Sequence, residues 1–186
     1  MIRKVEGYSR YVAIAGLREV EVGDVERFLA SVKEKLHNVT VQFFDARIVA
    51  GWQHLYFATL DAIKAFENQT NISKNLAVEC LLYASAQRQI KAALDLVGIK
   101  RNSSAIAVLI IGDNEKIAGD ALKKVENLIH GKREDSVIDL SKEKMTYVRD
   151  LFGISDVELA AKLEDDEGKA LSDLVIEHMA LLVTQR

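Results

Sequence analysis

Residues 112 to 120, GDNEKIAGD, follow an apolar run and precede a helical pattern, which is where a nucleotide-binding loop sits. A phosphate cradle needs clustered glycines whose backbone N–H groups converge on the anion. Here Gly112 and Gly119 stand far apart, no G-K-[ST] follows, and Asp113 and Glu115 would repel phosphate. A strand-to-helix turn, with Asn114 as cap and Glu115 favouring the helix N-terminus, accounts for the same residues. Ser141-Lys142-Glu143-Lys144 matches S-x-x-K, but the companion motifs of that nucleophile class are missing and helix capping explains it better. His37, His54, His130 and His178 have no His or Cys at ligand spacing, so neither a metal nor a cofactor is expected. The acids Glu164 to Glu167 read as a solvated loop. Cys80 is the single cysteine; beside Val78, Leu81 and Leu82 it reads as a core residue of a reducing compartment. A catalytic constellation is therefore absent from the pattern. An enzyme using the 112–119 turn for a nucleotide is the alternative reading.

What remains is an apolar helical layer bearing a few polar and basic side chains, which suits an interaction surface. In YASAQRQIKAALDLVGI, 83 to 99, the triplet Gln87-Arg88-Gln89 interrupts a helix that otherwise reads as buried. On a helix at about 100° per residue, Ala86, Ile90, Ala93, Leu94 and Val97 share one sector. Arg88 then lies nearly opposite Ile90, and the two glutamines flank it. If the sector is core, Arg88 and Lys91 project outward. If Ile90 is an exposed anchor, the Ala86-Ile90-Leu94 seam docks a partner with Gln87 and Gln89 as polar rim. Both orientations stay open at this level.

The elements that must position these residues follow from periodicity. Residues 11–16 form a short strand stopping at Gly16. Val22 to Leu36 has a helical stripe with Asp24 in its first turn. Residues 39–44 form a second strand. Trp52 to Phe66 and Ile72 to Ala84 are helices, the latter apolar nearly all round, with Asn71 as its N-cap. A helix over 86–97 ends at Gly98. The run 105–113 is a strand buried on both faces. A helix over 114–128 is followed by an edge strand at 137–140. Helices then run from the Ser141 cap to about Phe152, over 156–163 and over 169–183. The expected fold class is α/β: one domain, 1–186, with a small mixed sheet packed by helices and a helical C-terminal extension over about 140–186.

Composition sets the outer bounds. The chain has 186 residues, 49% of them hydrophobic, no proline and a net charge of −3. That length supports a core without disulfide staples. The charge is uneven. Residues 40–101 carry seven Lys/Arg against five Asp/Glu, and residues 134–177 carry five against thirteen. A balance of +2 in the first segment is too weak to indicate nucleic acid by itself. The longest apolar run, 105–111, is far short of the ~20 residues of a membrane span. MIRKVEGYSR lacks the apolar stretch of a signal peptide, so a cytoplasmic location is expected.

One ordered set of residues goes further. It comprises Ile48, His54-Leu55, Ala58, Ala62, Asn71-Ile72, Leu76, Glu79, the LLYAS run, Arg88-Gln89-Ile90 and Gly98-Ile99. With the strand AIAVLIIG and the segment FGISDVEL, this resembles the kinase-binding subunit family of the KEOPS (EKC) complex, the PRPK-binding protein family, in its archaeal form. Ala86 departs from the family, where glycine is usual; alanine there lets the helix run on or bend gently. The resemblance implies a non-catalytic accessory subunit of the complex that places threonylcarbamoyl on an adenosine of tRNA. It implies direct contact with the atypical kinase/ATPase subunit and indirect contact with the transferase and dimerising subunits. It also implies binding to the 3′ CCA end of tRNA. On this reading Ala86, Gln87, Gln89, Ile90 and Leu94 meet the kinase. Lys64, Lys74, Arg88 and Lys91 meet tRNA, with His54 and Asn71 as base contacts.

Overall fold

The computed structural model describes residues 1–183. Strand β2 (Tyr11–Arg18) is flanked by the short β1 (Ile2–Lys4), and α1 (Val25–Lys35) follows, capped by Asp24 accepting from the Arg27 N–H at 3.0 Å. Next come β3 (Thr40–Asp45), a 3-10 turn (Ala46–Ile48), α2 (Trp52–Glu67), α3 (Leu76–Ala84) and α4 (Ile90–Val97). The central strand β4 (Ala105–Gly112) leads to α5 (Glu115–Leu128), a two-residue β5 (Lys132–Arg133) and a 3-10 turn (Asp135–Ile138). The chain finishes with α6 (Lys142–Phe152), α7 (Asp156–Lys162), α8 (Glu167–Ala180) and a 3-10 turn (Leu181–Val183). The C-terminal extension is helical as expected, and the last three of its expected residues, 184–186, lie outside the described residues. Among the described residues no helix is long and apolar enough to cross a membrane.

The fold is α/β, with strands in the order β1-β2-β4-β3 and β5 beside β2. The sheet was expected to be mixed, but every described pairing is antiparallel. The apolar run of β4 misleads here: it is buried on both faces because helices cover both sides of an antiparallel sheet. Alternation sorts the strands into two cores. Val12, Ile14, Ala107, Leu109 and Ile111 face α2, α3 and α8. Ala13, Ala15, Leu17, Ile106, Val108 and Ile110 face α1 and α5.

Gly16 does not end its strand. A Cβ there would stand 2.6 Å from the Glu134 carbonyl oxygen and 2.6 Å from Val137 Cγ2. The glycine lets residues 134–137 cross the strand closely, and the Glu134 N–H donates to the Gly16 carbonyl at 2.9 Å. The same crossing replaces the expected edge strand at 137–140 with the 3-10 turn.

Candidate functional site

The 112–119 turn is filled by its own packing. A Cβ on Gly112 would meet the Ala118 nitrogen and Ile117 Cγ2 at 3.1 Å, so this glycine serves close strand-to-helix contact. Asn114 Oδ1 accepts from the Ile117 N–H at 2.9 Å, and Asp113 pairs with Arg10. These contacts are those of a strand-to-helix turn closed by its own cap and ion pair. Among the described residues no three His, Cys, Asp or Glu side chains converge as a metal site would require.

The polar triplet lies elsewhere than in a helix interior. Helix α3 stops at Ala84, and α4 begins at Ile90. The Gln87 N–H donates to the Leu82 carbonyl at 3.1 Å and the Ala86 N–H to that of Tyr83 at 2.9 Å. These are the two bonds of a Schellman C-cap, and they require a left-handed residue at Ala86, whose φ is +50°. The expected helix over 86–97, running on through alanine, is therefore wrong. The capping bonds satisfy two terminal carbonyls and outweigh the local cost of a left-handed alanine, roughly 1–2 kcal/mol. Ala86→Gly removes that cost, so it is expected to stabilise the protein by about 1 kcal/mol in denaturant titration. An unchanged or lowered midpoint would contradict this geometry.

The break decides the orientation of α4. Ala93 and Val97 are buried, whereas Ile90 and Leu94 are 42% and 49% exposed. Spaced i,i+4, the latter pair forms an apolar stripe on the outer face. Exposed Gln89 and half-buried Gln87 border it, with half-buried Ala86 behind them. The shared sector of the single-helix projection is thus split between core and surface.

Two buried polar side chains set the frame. His54 is fully buried; its Nδ1 accepts from the Ala50 N–H at 3.0 Å. That fixes the proton on Nε2, which donates to the Ala84 carbonyl at 2.8 Å. Burial pushes the imidazole pKa down to about 4. His54 therefore ties the start of α2 to the last residue of α3, and its expected role as an RNA base contact is wrong. Glu79, also buried, accepts from the backbone N–H groups of Ile72 (3.1 Å) and Ser73 (2.7 Å). It pins the loop before α3 and leaves Ile72 42% exposed. The cap of α3 is Asn75, not Asn71, whose amide donates to the Ser73 carbonyl instead.

Beside this loop lies a polar groove of about 400 Å³. Asn71 and Arg88 line it together, with Gln69, Thr70, Ile72 and Tyr83. Lys74 and Lys91 are exposed, each three residues on from a groove residue, and Lys64 is exposed on α2 away from the lining. Tyr83 is buried and still forms part of the wall. The polar run NQTN marks one wall of this groove in the sequence; the Tyr83 side emerges only through tertiary folding.

Comparison with known proteins adds two findings. A family model described as kinase binding protein CGI-121 matches residues 22–182. A protein of Methanocaldococcus jannaschii named "Regulatory protein Cgi121" is 29% identical over 127 residues, covering 67% of this chain and 79% of that protein.

Proposed function

The chain belongs to the CGI-121 kinase-binding protein family, and from that premise we propose that it is a non-catalytic accessory subunit that docks on a kinase through α4. The observation that carries this is the Ile90–Leu94 stripe, two large apolar side chains left about half in water by the helix break. A monomer gains nothing from exposing such a pair, whereas a partner groove converts it into buried area. The partner we assign is the atypical kinase/ATPase subunit of the KEOPS complex, with the transferase and dimerising subunits beyond it, acting in the cytoplasm. The Asn71–Arg88 groove, with Lys74 and Lys91 nearby, then receives the single-stranded 3′ CCA end of tRNA. Its mixture of polar side chains, a guanidinium and an aromatic wall suits an unpaired end.

Two measurements test this reading. On size-exclusion chromatography the chain is expected to co-elute with the host's kinase subunit; separate elution would remove the docking role. In a gel shift, mature tRNA is expected to bind more tightly than tRNA trimmed of CCA, and equal affinity would defeat recognition of the end. Binding weakens with salt in either case, so ionic strength is held constant.

A further inference from the structure

Helix α6 and the Ala46–Ile48 turn line a groove of about 340 Å³ that shares no residue with the α4 stripe or the Asn71–Arg88 groove, so the docking and tRNA roles leave it unused. Its floor is apolar, formed by Ala46, Ala105 and Val137. Lys144 enters from α6, half-buried, and its ammonium donates to the carbonyls of Val137 (3.1 Å) and Asp139 (3.2 Å). A lysine has three N–H donors, so one remains. Among the described residues no carboxylate comes within ion-pairing distance of it.

The rest of the lining is also rich in donors. Arg47 spends Nε and one Nη2 proton on Asp45, at 3.0 and 2.7 Å, and keeps its other N–H groups on the rim. Tyr147 contributes a phenol, 46% exposed, and Ser141 a hydroxyl. Against these stands one carboxylate in the lining, Glu143. A partly desolvated ammonium without a close counter-ion costs free energy that an arriving anion relieves. In keeping with this, burial lowers the Lys144 pKa to about 8, against the more distant pull of Asp139 and Asp45. The volume is at the small end of ligand sites, which run from about 300 Å³ upward.

We propose that this groove binds a small oxyanion, a carboxylate or phosphate on a short apolar stem, held by Lys144, Arg47 and Tyr147. The test titrates the full chain with sodium acetate and, separately, inorganic phosphate at constant ionic strength. The readout is the side-chain NMR resonance of Lys144. At least one anion is expected to give a saturable shift and to move the Lys144 pKa back toward the ordinary lysine value. Acetate alone saturating identifies a carboxylate ligand, and phosphate alone a phosphate ligand. Tyr147→Phe is expected to weaken binding about threefold, the loss of one neutral hydrogen bond. Lys144→Met, followed through the side-chain N–H resonance of Arg47 because the lysine signal is gone, is expected to weaken it at least about tenfold. Shifts with both anions that never saturate, or saturation equally strong in Tyr147→Phe and Lys144→Met, would overturn the proposal. Should Lys144→Met fail to fold, the wild-type resonance and Tyr147→Phe still decide it.

Discussion

Replacing Ile90 with glutamate is expected to abolish co-elution with the kinase subunit while leaving the thermal melt where it was. The two halves have separate causes. Ile90 is the first residue of α4 and 42% exposed, so removing it forfeits little folding energy. A carboxylate at a helix N-terminus is moreover favoured by the helix dipole. In a dry interface the same carboxylate is buried without a partner, which costs at least about 100-fold in affinity. Leu94→Asp is expected to behave likewise, since it shares the stripe. Val157→Glu is the control. That residue is 79% exposed on α7, which packs against α8 whereas α4 packs against α3, and its charge should leave binding intact. Binding retained by Ile90→Glu would take the stripe out of the interface. Binding lost by Val157→Glu as well would point to a general charge effect, not to α4.

The features legible in the sequence were the local ones. Asn114 and Ser141 cap α5 and α6 as their side-chain chemistry dictates, because a cap needs only the next three residues. The apolar run of β4 marks the central strand, because burial on both faces leaves no polar position. What escaped depends on distant partners. The three residues of β1 and two of β5 carry no periodicity of their own and exist by pairing with β2. Gly16 resembles a strand end until residues 134–137 are seen crossing it. The candidate site was half legible. Gln87-Arg88-Gln89 announced itself as an anomaly, but its meaning rests on Ala86 taking a conformation alanine seldom adopts. Within α4 the projection of Ile90, Ala93, Leu94 and Val97 onto one sector holds, but it does not reveal that the core takes only the Ala93–Val97 side of that sector and leaves Ile90 and Leu94 in water. His54 misled in another way. A polar residue on an apolar helix suggests a contact with a partner, whereas here its two nitrogens satisfy two buried backbone groups.

That arrangement makes the fold sensitive to mild acid. The His54 pKa falls from 6.5 to about 4 on burial, so the folded state resists a proton that the unfolded chain takes readily. Stability from this residue is complete above pH 6.5 and is lost as pH falls toward 4. Between pH 7 and 5 the loss is expected to be about 2 kcal/mol, read from urea midpoints at each pH. Asp45 is also depressed, by Arg47 and Ser103 against its burial, but that contribution disappears only at lower pH, below the ordinary carboxylate range. His54→Leu separates the effects. It leaves the Ala50 N–H and the Ala84 carbonyl without their partner, so it should cost about 2–4 kcal/mol at pH 7. It also removes the titrating group, so its stability should vary less between pH 7 and 5 than the wild type's. A parallel slope in the two proteins would show that His54 is not the acid-sensitive group. Because Ala84 is the last residue of α3, protonation acts on the mount of the 85–89 linker itself. Kinase binding through α4 should therefore weaken over the same pH interval, in step with the loss of stability.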